Sequence, residues 1–138
     1  LAMHEARQKG YDEALMLDYR GYVAEGPAEN LFIVKNNELI TPSSRSALHG
    51  ITRDTILTIS NDIGIKAYEK NAALKDVMEA DELFFCGTMM EIAPITSFND
   101  KKIGNGKIGE ITSKIMKKFY DAARGKDKKY GKWLTYVD

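Results

Sequence analysis

Two carboxylates and an amide, Glu25, Glu29 and Asn30, fall together in Gly21-Tyr22-Val23-Ala24-Glu25-Gly26-Pro27-Ala28-Glu29-Asn30-Leu31-Phe32, a Gly- and Pro-bearing turn between apolar runs. A turn that projects Glu25 from a strand end can hold a carboxylate against a cationic ligand. A second stretch, Leu48-His49-Gly50-Ile51-Thr52-Arg53, leads through a glycine into a helical pattern. There the backbone N–H groups of Ile51 and Thr52, the positive end of the helix dipole and the Thr52 hydroxyl could receive an anion. A third, Cys86-Gly87-Thr88-Met89, ends an apolar strand in a glycine and a hydroxyl, the same combination of close-approach backbone and donor. Two such turns could grip one phosphate from two sides.

Each feature alone has a plainer reading. Glycine-led helices and Gly-x-Thr turns commonly just start or end elements, and Glu25 could be a turn carboxylate in solvent. Glu29 and Asn30 could be side chains that bond the local backbone. Cys86 has no basic partner nearby in sequence and reads as a small core residue. His49 reads as incidental to its loop, and Met89 and Met90 as packing or cavity lining.

The elements that must position these turns follow from the pattern. Leu1 to Lys9 reads as a helix stopped by Gly10, and it begins without an initiator Met or N-cap, as expected of a piece of a longer protein. Ala14 to Asp18, Gly21 to Ala24, Asn30 to Lys35 and Glu38 to Thr41 read as strands of an antiparallel meander, with a hairpin turn at Lys35-Asn36-Asn37-Glu38. Apolar residues at 51, 56, 59 and 63 predict a helix ending at Gly64. Ile65 to Glu69 alternates like a strand, Leu74 to Ala80 is a short helix, and Asp81 to Cys86 is a buried strand. Glu91 to Ser97 is an extended run that Pro94 confines to an edge or bulge, followed by a hairpin turn at Asn99-Asp100-Lys101-Lys102. Ile108 to Ala123 is an amphipathic helix with Ile111, Ile115, Met116, Phe119, Tyr120 and Ala123 on one face and Lys114, Lys117 and Lys118 on the other. Trp133 and Leu134 are expected to fold back onto the core.

The 138 residues, 43% of them hydrophobic, suffice for one domain with a core. Twenty basic residues balance twenty acidic ones, so no overall field draws the chain to nucleic acid or an anionic membrane, and recognition must be local. One cysteine excludes an intramolecular disulfide framework, and with two histidines beside it there is no cluster at metal-ligand spacing. A reducing, cytoplasmic setting is the simplest expectation. No apolar run approaches the ~20 residues that span a bilayer.

The ordered set Gly10-Tyr11-Asp12-Glu13-Ala14, Leu17-Asp18, Gly21 to Gly26, Glu29-Asn30-Leu31-Phe32, Leu48 to Arg53, Ala80-Asp81-Glu82 and Gly87-Thr88 resembles the C-terminal domain of branched-chain amino acid aminotransferases, fold-type IV pyridoxal-phosphate enzymes. The tail Ala123-Arg124-Gly125 with Trp133-Leu134-Thr135-Tyr136-Val137 favours these over the D-amino acid aminotransferases and aminodeoxychorismate lyases that share the fold. A stand-alone phosphate-ligand binding domain without chemistry is the reading from a different class. The resemblance implies an α/β (mixed α+β) fold, strand-rich, with a mixed, pseudo-barrel-like sheet and flanking helices, and residues 1–138 as one cofactor-binding domain.

By the same resemblance Glu25 matches the partner of the protonated pyridine nitrogen of pyridoxal 5'-phosphate, and Leu48 the side chain on the ring face. Gly50, Ile51 and Thr52 match the helix-terminal phosphate site, which Thr88 completes. The backbone at Thr88 and Met89 matches the segment receiving the substrate carboxylate. The family's Schiff-base lysine lies upstream of the opening helix and no lysine here stands at its position. The chain alone is therefore expected to be inactive and to carry no catalytic residue. For the full-length parent the resemblance implies amino-group exchange between leucine, isoleucine or valine and 2-oxoglutarate by a ping-pong cycle, in a homo-oligomer with small-molecule partners only.

Overall fold

The computed structural model describes residues 2–24, 29–43, 50–87 and 91–133. Helix α1 (Ala2–Gln8) opens the chain and stops at Gly10, whose φ of 87° is a conformation that a glycine adopts without penalty. Residues 14–24 differ from expectation: they run extended but form only an isolated antiparallel bridge, Leu17 to Val23, instead of two strands. The reason is local. The Asp18 carboxylate accepts from the backbone N–H groups of Arg20 and Tyr22 at 2.8 and 3.0 Å and from the Arg20 guanidinium, so the Tyr22 N–H is spent on a side chain and backbone pairing is limited to the Asp18–Tyr22 and Ala24–Met16 bonds that flank the bridge.

Strand β1 (Asn30–Lys35) turns into β2 (Glu38–Pro42) through Asn36 and Asn37, both at positive φ, as the two-residue hairpin expected at that point requires. Asp81 holds this turn from outside, its carboxylate accepting from the Asn36 N–H at 2.9 Å. Helix α2 (Ile51–Asp62) then carries the chain to β3 (Ala67–Lys70), which pairs with β2 in parallel. The meander is thus confined to the first hairpin, because the crossover through α2 returns the chain in the same direction. After the short helix α3 (Leu74–Met78), β4 (Glu82–Gly87) pairs antiparallel with β1, and β5 (Glu91–Ile95) with β4. The sheet order is β3-β2-β1-β4-β5, and Pro94 sits, as expected, on the edge strand. A small hairpin of β6 (Ser97–Phe98) and β7 (Lys101–Lys102) follows, then α4 (Glu110–Ala123) and a closing 3-10 helix, Lys128–Trp133.

Strand alternation gives the sheet two buried faces. Leu31, Ile33, Leu83 and Phe85 point to one, under Val77 of α3 and Ile103. Phe32, Val34, Phe84 and Cys86 point to the other, where Ile56 of α2 and Ile115 of α4 cover them. The Phe32 and Phe84 rings stack at 5.0 Å across the β1–β4 ladder, clamping the central strands. At about 1.5–3 kcal/mol for each large apolar side chain buried, this layer stabilises the frame on which α2 rests. Lys114 and Lys117 lie on the exposed side of α4 as expected, paired with Glu110 and Asp121.

Candidate functional site

Three chain ends of the sheet meet at one rim: the start of β1 at Asn30, the end of β2 at Pro42 and the end of β4 at Gly87. The stretch into Glu25 reaches this rim fixed on its near side, since the Val23 N–H donates to the Ala72 carbonyl at 2.7 Å and the Ala24 N–H to the Met16 carbonyl at 2.8 Å. On its far side Glu29 and Asn30 are buried. Glu25 itself, with Leu48, His49, Thr88, Met89 and Met90, lies outside the described residues, as does Leu134.

Gly50, Ile51 and Thr52 are described, and they form one end of α2 as the sequence predicts. Gly50 is the N-cap, extended at φ −101° and ψ 144°, and as a glycine it brings no side chain to cap the helix. The first N–H groups of a helix have no acceptor within it, so this turn presents donors outward together with the positive end of the dipole. Ile51 is 88% exposed, although it is a large apolar residue at a helix start. Ile51 and Thr52 border a groove that α2 shares with Phe119 and Ala122 of α4. A Cβ at Gly50 would lie 2.6 Å from Oδ1 of Asn30, so any other residue there would have to displace that side chain.

Sequence reasoning missed Arg53. It is fully buried, with Nη2 donating to Oε1 of Glu69 at 2.7 Å and to the Pro42 carbonyl at 3.2 Å, and Nη1 lying 3.3 Å from Asp54. Its place in the motif after Gly50 was the one available signal; the third position of an amphipathic helix gives no sign of burial. Cys86 is buried beneath the same region, and burial pushes its thiol up to about 12 against the pull of the Arg53 charge. The thiol is protonated and inert at neutral pH, as a core residue should be.

A separate cleft of about 420 Å³ opens on the opposite face of the sheet, beside Tyr11, Glu13, Leu31 and Phe85. None of the described candidate residues, Gly50, Ile51 and Thr52, lines it. No helix among the described residues is long and apolar enough to cross a membrane.

The start of α2, with Gly50 beside the buried Asn30 at the sheet rim, is an arrangement suited to an anionic small molecule. Residues 1–98 match the family model described as amino-transferase class IV, and the chain belongs to that family. It is 45% identical over 137 residues to the branched-chain-amino-acid aminotransferase of Pseudomonas aeruginosa, covering 99% of this chain and 45% of that relative. Among solved structures, the T.th. branched-chain amino acid aminotransferase complexed with N-(5'-phosphopyridoxyl)-L-glutamate superposes with a TM-score of 0.96 at 37% identity, over 99% of this chain and 47% of that one. The Thermobaculum terrenum enzyme in its PLP-form gives 0.95 at 37% identity, over 98% of this chain and 45% of that one. The chain spans about half the length of the relatives it matches. The mixed sheet with flanking helices is the expected fold.

Proposed function

We propose that the chain is the cofactor-binding half of a pyridoxal-phosphate-dependent branched-chain amino acid aminotransferase, which moves an amino group between leucine, isoleucine or valine and 2-oxoglutarate. The observation that carries the reading is the start of α2. Its N-cap is a glycine and its first residue, Ile51, is exposed, it is seated on strand ends that lead to the other candidate turns, and it belongs to a chain superposing at 0.96 on a phosphopyridoxyl complex. A phosphate fits such a cradle: backbone donors converge on it, and a glycine lets the helix approach Asn30 closely.

In this reading the N–H groups of Ile51 and Thr52 hold the phosphate, with the Thr52 and Thr88 hydroxyls as further donors. Leu48 packs on the ring face. Glu25 holds a proton on the ring nitrogen, because an adjacent carboxylate favours the cationic form. The bound cofactor acts as an electron sink for the carbanionic chemistry of amino-group transfer. The backbone at Thr88 and Met89 receives the substrate carboxylate. The proton transfers belong to a lysine that has no counterpart at a matching position in this sequence, so the 138 residues by themselves turn over no substrate. The complete enzyme is cytoplasmic and homo-oligomeric in this proposal.

The test is a substrate panel on the complete enzyme. L-leucine with 2-oxoglutarate is expected to be converted, and D-alanine and aminodeoxychorismate are not. Conversion of either of the latter in place of L-leucine overturns the assignment to the branched-chain members.

A further inference from the structure

We propose that Arg53 and Glu69 are positioning residues for the cofactor phosphate: their ion pair, buried on the arginine side, fixes the first turn of α2 without either side chain touching the ligand. The inference rests on the reading of that turn as the phosphate site.

The argument starts from the cost of the pair. The Arg53 side chain is 1% exposed, and burying a guanidinium is expensive unless it is paired and hydrogen-bonded. Apolar residues of similar volume commonly stabilise such a location as well as an ion pair does, so bulk stability does not account for it. Direction does. Arg53 is the third residue of α2, and its Nη2 donates both to the Pro42 carbonyl at the end of β2 and to the Glu69 carboxylate of β3, while Nη1 faces Asp54 and the buried Nε finds no hydrogen-bond partner among the described residues. On the other side of the same turn, Gly50 is pressed against the Asn30 side chain at the start of β1. One helical turn is therefore tied to three strands at once, through side chains on the protein side. Its outward N–H groups cannot tilt or slide without breaking a charged hydrogen bond or colliding with Asn30. An anion site made of backbone donors gains affinity from such pre-organisation, since the donors need no reordering when the ligand arrives.

The experiment uses the 138-residue chain and measures equilibrium binding of pyridoxal phosphate, pyridoxal and inorganic phosphate to the wild type, Arg53→Lys and Glu69→Gln, with circular dichroism and thermal midpoints alongside. Lysine keeps the charge and loses the fork. Expected is a loss of about tenfold for pyridoxal phosphate in Arg53→Lys and about three- to fivefold in Glu69→Gln, the scale of one misplaced charged hydrogen bond. Inorganic phosphate should weaken in step, and pyridoxal should bind unchanged. If the two vitamers weaken together, or neither weakens in a folded variant, the pair is only structural and the proposal falls. If Arg53→Lys does not fold, Glu69→Gln decides, because the Glu69 side chain is one-third exposed on an edge strand and tolerates the amide. If the wild type itself binds pyridoxal phosphate no better than pyridoxal, the phosphate site is wrong, and both this proposal and the reading beneath it fail.

Discussion

At the scale of single residues, the proposed function gives the carboxylate at Glu25 the most specific task, and its removal is the sharpest test. In the complete enzyme, Glu25→Ala is expected to fold and oligomerise normally while turnover falls by about a hundredfold or more, the scale of a lost electrostatic partner in a water-poor site. Near-normal turnover would mean that the ring nitrogen has another partner. Residue types and order alone reveal this candidate, together with Gly50, Ile51 and Thr52. What they do not reveal are the residues that act on neighbours far away in sequence. Nothing in the local pattern marks Arg53 as buried, yet it is packed against Glu69. Asp18 and Asp81 read only as parts of a motif, and each ties down a turn, one at residues 18–22 and the other at Asn36. Such roles depend on partners brought close only by the fold, so no spacing in the sequence encodes them.

Among elements, α4 shows how a strand can finish a helix. Gly109 caps it without a side-chain bond, and the donors of its first turn are satisfied by Glu82 of β4, whose oxygens accept from the N–H groups of Ile111 at 3.2 Å and Thr112 at 2.7 Å. The carboxylate also meets the positive end of the dipole. A Cβ at Gly109 would lie 1.9 Å from Glu82 Cδ, so the cap needs a glycine beside it. Glu82→Ala is expected to cost about 1–2 kcal/mol, as lost caps do. Gly109→Ala should cost a similar amount in the wild type and little in the Glu82→Ala background. Denaturant titration of the double-mutant cycle reads this coupling directly, and additive losses would contradict it. Element existence was legible from periodicity for α2, α4, β1, β2 and β4. The direction of β3 was not, because a short alternating run looks the same in a parallel and an antiparallel pair. Nor was the limited pairing of residues 14–24 legible, since the Asp18 side chain takes the Tyr22 N–H that a longer ladder would use.

For the whole molecule, closure depends on the last segment. Tyr130 is buried against Ile59 and Ala122, and its hydroxyl donates to Asp62 at the end of α2 at 2.7 Å, so the closing helix locks α2 to α4. Burial, and then the Asp62 carboxylate, raise the Tyr130 phenol well above its ordinary value. A raised folded value means that the stability is complete below the ordinary tyrosine value of about 10 and declines as pH rises from there through the folded value. Tyr11 and Tyr68 shift in the same direction, so the readout is a comparison. The thermal midpoint of the wild type should fall more steeply above about pH 10 than that of Tyr130→Phe, which starts lower and loses this dependence. Parallel alkaline slopes would remove Tyr130 from the account. The order in which strands join the sheet carries a further consequence. The β1–β2 hairpin stands at the centre, β3 adds on one side, and β4 with β5 adds on the other, so the sheet grows outward as the ribosome delivers the chain. The apolar side of α2 is different: Ile56 rests on the sheet, but Ile59 is covered by Phe119, Ala122 and Tyr130 and gains that cover only when residues 119–130 have emerged. Until then a nascent chain carries a sticky helix on a half-built sheet, and that interval is when a chaperone has most to protect.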